Sequence, residues 1–251
     1  MARWGLGGGV NLVLVLLAFG GALWGALVGA LVPRAAYRLC VPPDGTWRAE
    51  CPEGHPLGGW VGFARCGHGD HYGPRTALVT ATTALVCAAL AAATGPRPEL
   101  AAWLLLAPVG VLLTVVDFGV HRLPDVLTLP LAGAALALLG GAALMPEHGG
   151  SWTGALYGAL ALAGAYFVLF LVNPNGMGFG DVKLALALGA VLGWYGWGVL
   201  LLGTFAGFLL ASLYGIGLVA ARRAGRKTAI PFGPFLLGGA FVGVLIGAYT
   251  A

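Results

Sequence analysis

Charge is what this sequence has least of. Only 9% of its residues are Asp, Glu, Lys or Arg, against roughly 25% in soluble domains. That shortage excludes an ordinary solvated surface; the net charge is +4 over 251 residues, and no nucleic-acid partner is expected. Lysine is nearly missing, present only as Lys183 and Lys227. Cysteine is limited to Cys40, Cys51, Cys66 and Cys87, too few for a disulfide scaffold and, in a cytoplasmic setting, unsuited to one. There is no internal repeat and no low-complexity tract beyond a Gly/Ala bias. The glycine run at 5–9 has no strand-to-helix context, so it is weak as a nucleotide motif.

What is present is apolar: 59% of residues are hydrophobic, arranged in runs near the ~20 residues that match a bilayer core. These give eight candidate spans, roughly 8–32, 77–94, 100–118, 126–144, 153–172, 181–194, 197–221 and 231–250. The first is too long for the apolar region of a signal peptide, so it reads as a retained helix. The expected class is all-α, a polytopic membrane protein with about eight transmembrane helices and one cytoplasmic loop region. It divides into a first helix (1–33), the loop (34–76) and a seven-helix core (77–251). Small residues suit close helix contacts in lipid, where apolar burial gives little drive.

The basic residues orient this plan. With eight spans, Arg34, Arg38, Arg48, Arg65, Arg75, Arg122, Lys183, Arg222, Arg223, Arg226 and Lys227 fall on one side, and only Arg3 and Arg97 on the other. The positive-inside rule then predicts a cytoplasmic loop 34–76 and both termini outside.

Nine acids remain to be placed. Asp44, Glu50, Glu53 and Asp70 lie in the loop, and Glu99 and Glu147 lie outside. Asp117 ends the third span in TVVDFGVHRLPDVLTLP (114–130), and Asp181 begins the sixth in NPNGMGFGDVKLALALG (173–189). Two crossings separate them, so both belong to the same face. An ionised Asp at mid-bilayer costs about 2.5–3.5 kcal/mol on insertion scales, so such acids usually face a cavity or a partner. Two acids on one cavity do not both ionise freely; they share a proton near neutral pH, and one can act as base while the other acts as acid. Glycines around Asp181 leave backbone open to an extended peptide. Plainer readings stand beside this one. Asp181 is placed to be a helix cap or first-turn acid, Asp117 to pair with Arg122 or His121, Asp125 to cap the helix after Pro124, and Lys183 to snorkel to headgroups. A small ion or proton-coupled transporter is the alternative from another class, although it would favour midplane polar groups and related halves.

GFGD at 178–181 matches the GxGD signature of intramembrane aspartyl proteases. With VKL after it, DFGVHRLPDVLTLP before it, GALWGALVGALVPRAAYRLC at 21–40 and AIPFGPFLLGGAFVG at 229–243, the chain resembles the bacterial type IV prepilin peptidases. The resemblance implies a multi-pass protein of the bacterial inner membrane. It would remove the basic leader of prepilins or pseudopilins at the cytoplasmic face, after a glycine and before an apolar helix. Asp117 and Asp181 match the two catalytic aspartates. Gly178, Gly180, Lys183 and Arg122 are the adjoining candidates for substrate contact. Proteolysis would need no cofactor. Many members also N-methylate the new terminus with S-adenosylmethionine. Oligomeric state stays open.

Many family members carry two CxxC pairs in the first loop, which look like a zinc site. Here the stretches read CPEGHP (51–56) and RCGHGDHYGPR (65–75), with Gly54 and Gly69 where the second cysteines would stand. Cys51 and Cys66, with His55 and His68 or His71, make a candidate Cys2His2 set for Zn2+. The alternative is a loop that has lost its metal.

Overall fold

The computed structural model describes residues 12–42, 45–66, 69, 71–174, 176–222 and 230–251. Arg3, the glycine run 5–9, Asp44, His68, Asp70, Asn175, Arg223, Arg226, Lys227 and Ala229 lie outside the described residues. Among the described residues eight helices make up the fold: α1 (Leu12–Leu39), α2 (Thr76–Thr94), α3 (Glu99–Val120), α4 (Asp125–Ala143), α5 (Trp152–Val172), α6 (Phe179–Gly193), α7 (Trp197–Ala220) and α8 (Gly233–Thr250). No strand occurs among the described residues; the loop after α1 holds only two isolated bridges, Glu50 with Pro56 and Arg65 with His71.

Seven of these helices are long and apolar enough to cross a membrane. The eighth, α6, keeps its place in the eight-helix plan but is shorter than the rest. Its 15 residues reach about 22 Å at 1.5 Å per residue, short of a hydrocarbon core near 30 Å. It is the inner helix of the bundle, packed on α4, α5, α7 and α8, with 10 of its residues buried. Protein rather than lipid surrounds it. The first helix departs the other way and runs to Leu39 rather than stopping near 32. Pro33 removes one backbone donor, but Val32, Ala35, Ala36 and Leu39 bury against Leu112 and Val116 of α3, and that contact carries the helix onward.

Glycine seams let the backbones approach. Gly21, Gly25 and Gly29 of α1 face α2, and a Cβ on Gly25 would come within 2.5 Å of the Thr83 carbonyl oxygen. Gly158 of α5 and Gly189 of α6 each lie against the other's backbone carbonyl, and Gly239 of α8 meets Gly203 and Gly207 of α7 in the same way. This is the close packing that small residues permit where lipid removes the hydrophobic drive.

Connection parity gathers the end of α3 and the starts of α4, α6 and α8 at one end of the bundle. The end of α1 and the start of α2, with the long loop between them, share that end. His121 closes α3 in the left-handed region (φ 51°), where His is enriched among non-glycine residues, and its N–H donates to the Asp117 carbonyl oxygen at 2.8 Å. Ser151 caps α5 by accepting from the Gly154 N–H at 3.1 Å.

The α5–α6 seam sets a stability test. A methyl at Gly189 meets backbone that cannot yield, so Gly189→Ala lowers unfolding stability by about 1–3 kcal/mol. Gly164→Ala on the open face of α5, with no atom within 4 Å, is neutral or stabilises by up to about 1 kcal/mol. Thermal unfolding of the two purified variants in one detergent checks the contrast.

Candidate active site

Asp117 lies in the last turn of α3 and Asp181 in the first turn of α6; they are 5% and 7% exposed. Each is held by a backbone N–H at a helix start. The Gly233 N–H, opening α8, donates to Asp117 Oδ2 at 3.0 Å. The Gly178 N–H donates to Asp181 Oδ2 at 3.1 Å, and the Asp181 N–H returns a bond to the Gly178 carbonyl oxygen at 3.0 Å. Asp181 is therefore a first-turn acid at the positive end of a helix. It is at the same time a cavity residue.

Both acids line one cavity of about 160 Å³, together with His121, Arg122, Leu123, Asp125, Gly178 and Gly180. One water needs only about 10–15 Å³ of such space and two or more polar partners, so this polar cavity has room for several. The two plain sequence readings of Asp117 give way to a third, because its carboxylate bonds the start of α8 rather than Arg122 or His121.

The neighbouring candidates separate. Arg122 lines the cavity and donates to the Pro42 carbonyl oxygen at 3.0 Å, tying the site's rim to the long loop. Gly178 and Gly180 line it too, but Gly180 also has a packing reason: a Cβ there would stand 3.0 Å from Leu123 Cβ. Lys183 is turned elsewhere. Its Nζ lies 2.6 Å from Asp125 Oδ2 and 5.0 Å from the Phe179 ring centre, so it joins α6 to α4 instead of snorkelling. Asp125 is accordingly no cap: it is the first residue of α4, Pro124 takes the cap position, and no side-chain cap bond forms.

Gly233 carries a role that the sequence motifs do not single out. A Cβ there would sit 2.8 Å from Asp117 Oδ2, so glycine is what lets the carboxylate reach the α8 amide. Its signal is the Gly-Pro pair opening the last apolar run, a helix start. A second, larger cleft of about 460 Å³ runs beside the acids. Thr114 and Phe118 of α3 and Pro234 of α8 lie in its wall, while Trp103 and Val244 lie further along it, and nearly all of its lining is apolar.

In the long loop, Cys51, His55 and Cys66 converge. The two Sγ atoms are 3.0 Å apart, and His55 Nδ1 is 3.0 Å from Cys66 Sγ and 3.6 Å from Cys51 Sγ. These three ligand atoms all lie within 4.8 Å of one another. Gly54 and Gly69 hold positive φ (82° and 96°) with open space around them, so each shapes the turn just after its cysteine. The hydrogen bond from Cys66 brings the Cys51 thiol down to about 7, toward the thiolate a metal requires. His71 does not join them. It is exposed, opposite Arg65, with the Tyr72 N–H bonded to the Ala64 carbonyl oxygen. His68 lies outside the described residues, so the group has three described ligands where a closed zinc site takes four.

Fold and site together define a polytopic membrane protein with a paired-aspartate cavity at one end of its bundle. The sequence profile of the type IV leader peptidase family matches residues 103–221, which include both acids. A prepilin leader peptidase/N-methyltransferase of Aeromonas hydrophila is 36% identical over 86% of this chain and 76% of its own length. The protein of that name from Aeromonas salmonicida strain A449 is 37% identical over 84% and 74%, and that of Pseudomonas aeruginosa 30% over 85% and 75%. No solved structure matches. The chain belongs to the type IV leader peptidase family.

The Lys183–Asp125 pair sets the second test. Asp125 is 60% exposed, so a double-mutant cycle with Asp125→Asn and Lys183→Gln gives a coupling of no more than about 1 kcal/mol, read from unfolding midpoints in detergent.

Proposed function

We propose that this chain is an aspartyl endopeptidase that removes the leader of prepilins or pseudopilins at the cytoplasmic face of the bacterial inner membrane. The observation that carries the reading is the convergence of Asp117 and Asp181, remote in sequence, on one polar cavity. In this mechanism one carboxylate takes a proton from a cavity water while the other donates to the scissile carbonyl oxygen. The water attacks the carbonyl carbon; the C–N bond then breaks as the proton held by the first acid passes to the leaving amine and the second carboxylate takes back the proton of the intermediate's hydroxyl. Gly178, Gly180 and Arg122 line the approach of the extended peptide. The substrate's apolar helix would lie along the 460 Å³ cleft beside the acids. Lys183 acts only through Asp125.

Sidedness is argued from charge. At the acid-bearing end lie Arg34, Arg38, Arg48, Arg65, Arg75, Arg122, Lys183 and Arg222, and Arg97 lies at the other. The positive-inside rule makes the acid end cytoplasmic and puts both chain ends outside. Loop 34–76 is then a cytoplasmic unit on the 77–251 core. Its Cys51, His55 and Cys66 would hold Zn2+ as a structural ion, with capture weakening as pH falls below about 7 and protons compete for Cys51. The relatives' names also include N-methyltransferase. Methylation of the new amino terminus by S-adenosylmethionine is the second proposed activity. The transporter alternative has no support in the relatives.

Co-expression with a prepilin, then a gel shift, tests the peptidase. Asp117→Asn and Asp181→Asn each lower cleavage at least ~100-fold, while Glu147→Gln, exposed between α4 and α5, keeps it. Wild-type cleavage by either of the first two overturns the assignment. Metal analysis of the purified chain should find zinc that the Cys51→Ser/Cys66→Ser double variant lacks. A mass spectrum of the processed pilin terminus reads methylation.

A further inference from the structure

The segment Leu57–Phe63 of the long loop, LGGWVGF, exposes its largest apolar side chains. Trp60, Val61 and Phe63 are 41%, 61% and 57% exposed, and Trp47 beside them is 42% exposed. Trp47 and Trp60 meet edge to face with ring centres 5.0 Å apart. Four apolar groups presented to water at one loop tip would be a liability. Where the tip is tied down supplies a reason for them.

The Gly62 N–H donates to the Leu31 carbonyl oxygen of α1 at 3.1 Å. Leu31 belongs to the face of α1 that runs Trp24, Leu27, Leu31, Arg34, Arg38, spaced three and four apart along one side of a helix. Leu27 on that face is exposed within a membrane-spanning helix, and Trp24 is partly exposed while its Nε1–H donates to the Leu104 carbonyl oxygen of α3 at 2.9 Å, so this side of α1 borders lipid next to α3. One turn later it changes from apolar to arginine, which marks the headgroup level. There the loop crosses it. Arg34 donates to the Gly58 carbonyl oxygen and, at 2.9 Å, to that of Phe63; Arg38 donates to that of Gly59 at 2.8 Å and stacks on Trp60, 4.3 Å from the ring centre. Gly62 sits at φ 147°, a conformation that side-chain-bearing residues rarely adopt, and a Cβ there would also crowd the Arg34 guanidinium at 2.8 Å. The arginines thus commit their hydrogen bonds to holding the tip against the lipid-facing side of α1.

We propose that Trp47, Trp60, Val61 and Phe63 form a wedge seated in the headgroup–acyl boundary of the leaflet bordering the acid cavity, with the lipid bilayer as its partner. Tryptophan favours that boundary, since its ring is apolar and its N–H is wet, and Val61 and Phe63 supply the apolar depth. The wedge anchors the residues next to it in the chain: Ala64 is buried and Cys66 is one of the three clustered ligands.

The test uses the full chain in lipid nanodiscs, with Cys40→Ser to remove the half-buried loop thiol, and the same background without an introduced cysteine measures any label on Cys51, Cys66 or Cys87 for subtraction. A bimane label is placed singly at Val61→Cys, Phe63→Cys or, as an aqueous reference on the same loop, Glu53→Cys. At positions 61 and 63, lipid-borne nitroxide near the headgroup quenches several-fold more than at 53, and aqueous iodide several-fold less. Equal iodide quenching at all three positions without lipid quenching overturns the proposal and leaves a protein partner as the occupant of the tip.

Discussion

Two backbone N–H groups, of Gly233 and Gly178, each hold one buried carboxylate at the start of a helix. An acid taken out of water loses its hydration, and what replaces it must come from the protein. Here the replacement is the open end of a helix, whose first amides have no partner within the helix and carry partial positive charge. The same bond therefore satisfies the acid and the helix. It also fixes where α3, α6 and α8 meet, because Asp117 on α3 is tied to the first residue of α8. Glycine at 233 is part of that solution, since any side chain would displace the carboxylate.

Most of the helical layout is legible in the sequence, for a physical reason. In lipid every backbone group must bond internally, so apolar run lengths translate almost directly into helices. The spans expected at 77–94, 153–172 and 197–221 lie within a residue of α2, α5 and α7. Convergence of Asp117 and Asp181 comes from counting crossings. The misses are all tertiary. Nothing local says that α1 finds partners for Ala35, Ala36 and Leu39, or that α6 is enclosed by protein. Pairing of Lys183 with Asp125 joins two helices whose relative rotation hydropathy does not encode. His71 groups with the cysteines by proximity in sequence, whereas its bridge to Arg65 turns it outward.

The loop cluster and the acid pair differ in how the family bears on them. Both acids lie within the residues matched by the family profile, and the clustered Cys51, His55 and Cys66 lie before it. At positive φ a glycine is the least strained residue, so Gly54 and Gly69 hold the turns after Cys51 and Cys66, and His55 follows the first of them directly.

The brevity of α6 has a mechanical meaning. A 15-residue rod set among neighbours of 18 to 24 residues runs from the acid end toward the opposite one over a shorter length than they do, so the bundle is recessed over one of its ends. At the end bearing Asp181, such a recess lets solvent sink toward the acids without traversing hydrocarbon.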